Sequence, residues 1–182
     1  MDNKNGSLKP AVFLDRDGVL TVEKSYVCSL EDLEVFSYAR ECVQKMKEKG
    51  YYTIVITNQS GVARGLFTEE ALKEMNAYLI RKTGVDAIYY CPHYPQGSVQ
   101  KYSYKCTCRK PELGMIKKSC EDFDIDMEHS YMVGDRASDI LLGQRAGVKT
   151  ILVESGYGTE RLEADAKADY VMKNLIEVVN IL

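Results

Sequence analysis

Hydrophobic residues along this chain form short continuous runs that are separated by longer segments of mixed polarity. The runs at residues 11–14, 52–57 and 150–153 contain no charged residue. Such runs are typical of strands in a parallel sheet that is covered on both faces. Less regular runs, interpreted as further strands, occur at residues 86–91, 131–135 and 170–172.

Between these runs, apolar residues recur at intervals of three and four positions, which predicts helices. Thr68 is expected to cap one helix, with Glu69 and Glu70 in its first turn. The predicted helices run through Ala39, Cys42, Val43 and Met46, through Leu72, Met75 and Leu79, through Leu113, Ile116, Cys120 and Phe123, through Ile140 and Leu141, and from Asn174 onward. Alternating strands and helices predict the α/β class, a doubly wound parallel sheet with right-handed crossovers.

The composition is that of an ordinary globular protein. With 182 residues, 45% of them hydrophobic and 28% charged, residues 1–182 are expected to form a single domain. No stretch approaches the ~18 apolar residues of a membrane span, and residues 1–6 lack the apolar centre of a signal peptide. The net charge of -3 gives no basic surface for nucleic acid. We therefore expect a cytoplasmic monomer that acts on a small molecule and binds neither nucleic acid nor membrane.

Polar residues follow three of the predicted strands at the point where each strand ends. Asp15 and Asp17 follow the first strand, Thr57 and Asn58 the second, and Asp135 a later one. The carboxyl ends of parallel strands lie at one edge of a sheet, so these side chains are expected to converge. Two neighbouring carboxylates resist ionisation unless a cation is near. Oxygen ligands of this kind suit Mg²⁺.

Each of these motifs also has an ordinary structural interpretation. Asp15 could end a strand and cap the following turn. Arg109 and Lys110 could be a solvated pair, although they would also supply positive charge next to an anionic ligand. Asp135 and Asp139 could mark the start of a helix, where negative charge is favourable. Only the convergence of all the motifs at one sheet edge favours a magnesium-dependent phosphate site.

A second group of residues has the spacing of a metal site. Cys91 and His93 are followed, after residues 94–105, by Cys106 and Cys108. Three thiols and one imidazole in two close pairs match the ligands of a structural zinc site. The alternative is a set of buried cysteines beside a surface histidine. The zinc interpretation predicts that the loop of about residues 91–108 folds around the ion and positions Arg109 and Lys110, which follow it directly.

The other cysteines and the second histidine are given structural interpretations. Six cysteines in a cytoplasmic chain favour metal ligands or buried thiols over disulfides, because that compartment is reducing. Cys42 and Cys120 lie on the apolar faces of predicted helices, so both are expected to be core thiols. Cys28 receives no assignment, and His129 is interpreted as a loop residue.

In order along the chain, these motifs resemble those of the haloacid dehalogenase superfamily of aspartate-dependent phosphotransferases. The matching segments are Asp15-Arg16-Asp17-Gly18, Thr57-Asn58, Lys110, and Gly134-Asp135 with Asp139. The resemblance covers most of the chain and implies a Rossmann-like sheet. Many members carry a cap domain over the site, but no insertion in this chain is long enough to form one.

The resemblance also implies a role for each motif. Asp15 would attack phosphorus and become a transient aspartyl phosphate, while Asp17 would act first as general acid and then as general base. Asp15, the backbone carbonyl of Asp17, and Asp135 would hold Mg²⁺, and Asp139 would support them from outside the coordination sphere. The residues expected to hold the transferring phosphoryl group and the substrate are Thr57, Asn58, Lys110 and Arg109.

The zinc loop joined to Cys108-Arg109-Lys110-Pro111 resembles two branches of the superfamily, one acting on heptose bisphosphates and one on histidinol phosphate. The length of the loop favours the first branch. The implied reaction is removal of the 7-phosphate of D-glycero-D-manno-heptose 1,7-bisphosphate, in nucleotide-activated heptose and lipopolysaccharide biosynthesis. The implied substrate contacts are Arg16, Glu23, Lys24, Ser25, Tyr26, Asn58, Gln59, Ser60 and Arg136, with Arg109 and Arg136 as candidates for the phosphate that is not removed.

Three other functions are weighed against this interpretation. Histidinol-phosphate hydrolysis is the nearest alternative. A polynucleotide 3'-phosphatase would share the first two motifs, but it would need a basic groove that this acidic chain does not indicate. A non-catalytic zinc-stabilised binding module would have no need for both Asp15 and Asp17.

The chain departs from the usual pattern of the superfamily at Val19, where threonine is common, and at Arg136, where some members have lysine.

Overall fold

The structure is a computed structural model that describes residues 8–158 and 166–182. The polar start at residues 1–6 and part of the predicted single domain therefore lie outside the described residues. The strands are β1 (Lys9–Leu14), β2 (Tyr52–Asn58), β3 (Ala87–Cys91), β4 (Ile125–Gly134), β5 (Lys149–Val153) and β6 (Tyr170–Met172). The helices are α1 (Ala39–Glu48), α2 (Glu69–Thr83), α3 (Gly114–Asp122), α4 (Ala137–Ala146) and α5 (Leu175–Ile181), and a 3₁₀ turn spans Gln100–Tyr102.

The strands form a six-stranded sheet in the order β3-β2-β1-β4-β5-β6. All neighbouring strands are parallel. The chain builds outward from β1 in both directions, so the strand order reverses between β1 and β4, and this is the position where open α/β sheets bind ligands. The predicted fold class is confirmed.

Alternate residues of β1 pack on opposite faces of the sheet, so this strand belongs to two separate cores. Val12 and Leu14 contact a cluster that includes residues of α1 and α5. Phe13 belongs to a second cluster on the other face, with Met115 and Ile116 of α3. Residues 11–14 are all 0% exposed, and full burial of such side chains stabilises the fold by ~1.5–3 kcal/mol each. Burial on both faces explains why this strand is a continuous apolar run.

The predicted cap of α2 is confirmed, and glycines end the first two helices. The backbone N–H of Ala71 donates to the Thr68 side chain at the start of α2, and Gly84 ends that helix in the left-handed conformation with φ of 81°. Gly50 follows α1 with φ of 92°. None of the helices in the described ranges combines the length and hydrophobicity that crossing a membrane requires.

Three structural expectations are wrong. Strand β4 begins at Ile125 rather than near residue 131, so His129 lies within a strand and not in a loop. The register of β4 against β1 shifts between Pro10 and Val12, and the Ala11 N–H donates to the Ser130 hydroxyl instead of to a strand carbonyl. Exposed polar residues in this irregular stretch hide the strand pattern. Cys42 is buried as expected, but Cys120 is exposed.

Candidate active site

A cavity of about 390 Å³ lies at the carboxyl ends of β1 and β2. Almost all of the residues predicted for catalysis and substrate binding line it: Asp15, Arg16, Asp17, Glu23, Ser25, Tyr26, Thr57, Asn58, Gln59, Ser60, Arg109, Lys110 and Arg136. Asp135 and Asp139 lie beside Asp15 in a buried cluster of acids. The predicted convergence of the strand ends is therefore confirmed.

The cavity differs from the predicted site in a few residues. Lys24 does not line it, because its ammonium group forms an ion pair with Glu34 and donates to the carbonyl of Asp32. The lining residues that sequence reasoning missed are Val27, Gly61, Phe67, Ser138 and Tyr157. Gly61 and Ser138 each lie within two residues of a predicted site residue, which could have indicated them. Tyr157 lies four residues beyond the end of β5, where no motif was assigned.

Asp15 and Asp139 share a single buried cation. The Lys110 ammonium lies 2.8 Å from an Asp15 oxygen and 2.7 Å from an Asp139 oxygen, and it also donates to the Ile56 carbonyl at 2.7 Å. Burial raises the pKa of Asp15 to about 6 even though Lys110 opposes this shift, and the charge of Asp139 adds to it. Burial opposes the charge of Lys110, but the two carboxylates outweigh it and raise the lysine pKa. Lys110 therefore stays cationic beside Asp15.

Asp17 lies in a different electrostatic environment from Asp15. Its carboxylate accepts from the Arg16 guanidinium at 3.0 Å and 3.1 Å, from the Gln59 amide at 3.0 Å and from the Thr21 hydroxyl at 3.0 Å. Burial favours the protonated acid, but the Arg16 charge and these hydrogen bonds hold its pKa below the usual value. Asp15 accepts instead from the Lys110 ammonium and the Arg16 backbone N–H, each at 2.8 Å. The two acids thus line one cavity with different donors and opposite pKa shifts.

The Arg16 side chain lines the cavity and also holds the Asp17 carboxylate. It is 1% exposed, and its Nη2 also donates to the Gln59 side chain at 3.0 Å. Gln59 in turn donates to Thr57 Oγ1 at 2.9 Å. This network links the predicted substrate contacts Arg16 and Gln59 to the Asp17 carboxylate, so each of them orients that acid.

The acid cluster has the chemistry of a divalent cation site. One carboxylate oxygen from each of Asp15, Asp135 and Asp139 lies within 4.8 Å of the others. Oδ1 of Asp135 is buried without a hydrogen-bond partner, and burial together with the Asp15 charge raises the Asp135 pKa to about 8. Nε of Arg136 lies 3.9 Å from this oxygen, too far for a hydrogen bond, so a hard cation such as Mg²⁺ would satisfy it among the like charges. The residues present therefore fit the predicted metal.

Asp139 has fewer free oxygens than the other two acids. One oxygen contacts Lys110, and the other accepts the Arg136 N–H at the start of α4, at 3.1 Å. Asp135 is held closely by backbone: the Tyr157 N–H donates to it at 2.8 Å, and a Cβ added at Gly18 would lie 2.5 Å from its carboxylate. Asp139 is thus a structural support, whereas Asp135 has an oxygen available for a metal.

Asn58 positions Lys110 through the backbone. The Lys110 N–H donates to the Asn58 side-chain oxygen at 2.9 Å, and the Asn58 amide donates to the Lys110 carbonyl at 3.2 Å. Both ends of the Asn58 amide are therefore used within the protein. Asn58 also lines the cavity, and its contact with the transferring phosphoryl group stays a prediction.

Arg136 is neutralised at the edge of the cavity. Its guanidinium lies 3.0 Å from a Glu23 oxygen and 4.2 Å from the centroid of the Tyr157 ring. The Tyr157 hydroxyl also contacts Glu23 at 3.4 Å. These three side chains form one wall of the cavity, where the Glu23 carboxylate balances the positive charge of Arg136.

The four predicted zinc ligands come together beside this site. The atoms Cys91 Sγ, His93 Nδ1, Cys106 Sγ and Cys108 Sγ all lie within 4.8 Å of one another. The neighbouring separations are 3.3–3.6 Å, close to the ~3.8 Å edge of a tetrahedron with ~2.3 Å zinc–sulfur bonds. The hydrogen bond between Cys91 and Cys108 lowers the pKa of Cys108 and raises that of Cys91, so the pair favours one thiolate, at Cys108, before a metal binds. This cluster could hold a metal ion.

Buried acids, a buried lysine and a cation site at the edge of a parallel sheet define a phosphatase of the haloacid dehalogenase type. A family model described as HAD-hydrolase-like matches residues 107–178. The crystal structure of D,D-heptose 1,7-bisphosphate phosphatase from B. bronchiseptica, complexed with magnesium and phosphate, superposes with a TM-score of 0.80. It is 28% identical in sequence, and the match covers 94% of this chain and 97% of that one.

Comparison with individual relatives identifies the family within this superfamily. The D-glycero-beta-D-manno-heptose-1,7-bisphosphate 7-phosphatase of Haemophilus ducreyi is 42% identical over 94% of this chain and 97% of its own length. The protein of the same name from Escherichia coli K12 is 39% identical over 93% and 91%. The chain therefore belongs to the family of the heptose-1,7-bisphosphate 7-phosphatases, within the haloacid dehalogenase superfamily.

Proposed function

We propose that this protein hydrolyses the 7-phosphate of D-glycero-D-manno-heptose 1,7-bisphosphate. The observation that carries the proposal is the buried Asp15–Lys110 pair at 2.8 Å on the wall of the cavity, in a chain whose full-length relatives bear the name of this activity. The heptose monophosphate that is formed would supply nucleotide-activated heptose for lipopolysaccharide core or other surface glycans.

Asp15 is proposed as the nucleophile. Its carboxylate oxygen would form a bond to phosphorus as the bond to the sugar oxygen breaks, and Lys110 would compensate the charge on the phosphoryl oxygens. Water would then attack the aspartyl phosphate, releasing inorganic phosphate and the free carboxylate. The carboxylate must be ionised to attack, and the Lys110 ammonium beside it favours that form.

Asp17 is proposed as the group that moves the proton. It would protonate the leaving sugar oxygen in the first step and take a proton from water in the second, a contribution of ~10²–10⁴ in rate. Arg16, Gln59 and Thr21 hold the carboxylate ready for the second step, because they favour its ionised form. To donate a proton in the first step, Asp17 would first have to be protonated. This would require the approaching phosphate to weaken the contact between Asp17 and Arg16.

The proposed cofactor is Mg²⁺, held by Asp15, Asp135 and the backbone carbonyl of Asp17. When bound, the ion would offset the negative charges of the carboxylate and the phosphate as they approach each other. Asp139 would act from outside the coordination sphere by holding Lys110. The unpartnered Asp135 oxygen supports this assignment, as does the related B. bronchiseptica phosphatase, whose crystal structure is a complex with magnesium and phosphate.

Zinc is proposed as the ion held by Cys91, His93, Cys106 and Cys108, in a structural role. The side chains supply four ligands and leave no position open for a substrate. A cytoplasmic location is proposed as well, because a reducing compartment keeps the three thiols available. We further propose that the substrate is a small molecule, that no nucleic acid is bound, and that the protein acts as a monomer.

Phosphate release from a panel of substrates tests the proposed function. The panel contains both anomers of heptose 1,7-bisphosphate, histidinol phosphate and a 3'-phosphorylated oligonucleotide, each with Mg²⁺. Heptose 1,7-bisphosphate is expected to have the highest kcat/KM, and ³¹P NMR is expected to show that the phosphate at C1 is retained. Faster hydrolysis of histidinol phosphate, or release of the C1 phosphate, would overturn the proposal.

A further inference from the structure

Two arginines lie against the same tyrosine at the edge of the cavity. The guanidinium carbon of Arg64 is 4.0 Å from the centroid of the Tyr94 ring, and that of Arg109 is 5.4 Å from it. Arg64 is also 5.9 Å from the ring of Tyr26, and both Tyr26 and Arg109 line the cavity. Arg64 therefore borders the cavity, although no sequence motif indicated it.

The charges of these two arginines are not balanced within the protein. Among the described residues, neither guanidinium has a carboxylate within 4.0 Å. The other arginines of the cavity are paired, Arg16 with Asp17 at 3.0 Å and Arg136 with Glu23 at 3.0 Å. Two unpaired guanidinium groups at one aromatic ring repel each other and attract an anion. The excess positive charge of the cavity is thus concentrated at Arg64 and Arg109.

The zinc loop holds this pair of arginines in place. The Ala63 carbonyl accepts from the N–H groups of Ser98 and Val99, at 2.8 Å and 2.9 Å, and the Ser98 hydroxyl donates to the Arg64 carbonyl at 2.9 Å. The backbone of Arg64 is therefore attached to the loop that carries Tyr94. A side chain at Gly97 would prevent this approach, because its Cβ would lie 2.4 Å from the Ala63 oxygen.

The second arginine is fixed by the same loop. Nη1 of Arg109 donates to the carbonyl of His93 at 3.3 Å, so the main chain of one predicted zinc ligand orients it. Tyr94 follows His93 directly and carries the ring that both cations contact. Groups that are held in place before a ligand arrives bind it with a smaller loss of conformational entropy.

We propose that Arg64, together with Arg109, binds the phosphate of the substrate that is not hydrolysed. A guanidinium group can bind a phosphate through two parallel hydrogen bonds, and two such groups suit a phosphate dianion. Arg136 does not share this role, because Glu23 already neutralises it. The inference rests on the proposed function for the identity of the sugar, but the anion site follows from the two unpaired arginines themselves.

The proposal is tested by comparing a bisphosphate with a monophosphate in an Arg64 variant. Arg64→Met is expected to lower kcat/KM for heptose 1,7-bisphosphate by ~10-fold or more, the range for a lost hydrogen bond to a charged group, and to lower it much less for heptose 7-phosphate. Arg64→Lys is expected to restore part of the preference for the bisphosphate. Arg81→Met, which removes the same charge from an exposed position on α2, is expected to behave like the wild type.

A binding measurement separates this inference from the identity of the substrate. Asp15→Asn protein is titrated with heptose 1,7-bisphosphate and with fructose 1,6-bisphosphate by calorimetry, with and without Arg64→Met. Weaker bisphosphate binding in the double variant would support the anion site even if another sugar proved to be the preferred substrate. Equal affinity with and without Arg64, or an equal loss of kcat/KM for bisphosphate and monophosphate, would overturn it.

Discussion

Asp15 and Asp17 are two residues apart and have opposite protonation tendencies. Burial raises the pKa of Asp15 to about 6. Asp17 is also buried, but Arg16 and the hydrogen bonds from Gln59 and Thr21 lower its pKa. The sequence predicts a pair of acids, but it does not indicate that Arg16 turns toward Asp17, because that depends on the side-chain packing around Gln59. Each acid can therefore be tested separately.

Asp15→Asn is expected to abolish turnover, because an amide cannot become an acyl phosphate; the loss of a catalytic nucleophile can cost ~10⁶ in kcat. Asp17→Asn is expected to lose ~10²–10⁴ in rate. Phosphate release measures both effects, and thermal unfolding checks that the proteins are folded. If Asp15→Asn kept more than a few per cent of the wild-type rate, with deamidation excluded by mass spectrometry, covalent catalysis at this residue would be wrong.

Lys110 is expected to affect both stability and rate, since it is the cation between Asp15 and Asp139. Lys110→Met keeps the volume of the side chain but leaves two buried carboxylates without their cation, a change that typically costs ~3–5 kcal/mol. The substitution should lower the rate of hydrolysis equally for heptose bisphosphate and heptose monophosphate, by ~10²-fold or more. Urea unfolding and kinetics with both substrates measure these effects. A selective loss of the bisphosphate activity would contradict this role.

At the scale of elements, the apolar runs are sufficient to predict the buried strands. Strands β1, β2 and β5 appear where continuous apolar residues were found, since both faces of these strands are covered. Strand β4 was predicted only from residue 131, because its first half carries exposed polar side chains and shifts its register against β1. Periodicity reveals elements that are uniformly buried, but not an irregular strand whose pairing depends on a distant neighbour.

The sequence likewise predicted some residues of the site and missed others. Motifs at strand ends identified Asp15, Asp17 and Asp135, because parallel strands bring their ends together whatever lies between them. Lys110 and Asp139 were identified by the family resemblance. Contacts made by loops were missed, because the course of a loop depends on tertiary packing. Tyr157 and Phe67 line the cavity, and Arg64 lies against the ring of Tyr26 at its edge. Lys24 was assigned from the family resemblance, but its ammonium group forms an ion pair with Glu34.

The zinc loop is the element whose metal content is most readily tested. We expect about one zinc per chain by elemental analysis, independent of added magnesium. Cys106→Ser and His93→Ala are expected to lose zinc and to lower activity, because Arg109 and Lys110 follow the Cys108 ligand directly. Cys120→Ser is the matched control, since this exposed cysteine lies on α3 outside the cluster. Active, freshly purified protein without zinc would exclude the assignment.

At the scale of the whole molecule, the acid cluster makes stability depend on pH and metal together. In the metal-free protein, the pKa values of Asp15 and Asp135 rise to about 6 and about 8, above the ~4 of an unfolded chain. Groups with raised pKa values contribute stability that is complete below the unfolded pKa and is lost as the pH rises through the folded values. Metal-free protein is therefore expected to lose stability between pH ~4 and pH ~8.

Magnesium is expected to reverse this trend, because it binds the ionised carboxylates and binds more tightly as they lose protons. The rise in Tm on adding Mg²⁺ should therefore be larger at pH 8 than at pH 5. Differential scanning fluorimetry across this pH range, without chelators that would also remove zinc, measures the effect. Asp135→Asn should flatten the dependence. A magnesium effect that is the same at pH 5 and at pH 8 would refute the linkage.

The position of β1 at the centre of the sheet also has a consequence for synthesis on the ribosome. One neighbour, β2, follows within the first 58 residues, but the other, β4, ends only at Gly134. A nascent chain must therefore expose one edge of its most apolar strand until most of the polypeptide has been translated. During that interval Asp15 and Asp17 are present, but Asp135 and Asp139 have not yet been translated. The nascent protein therefore depends on protection of that edge, and its metal cluster can form only near the end of translation.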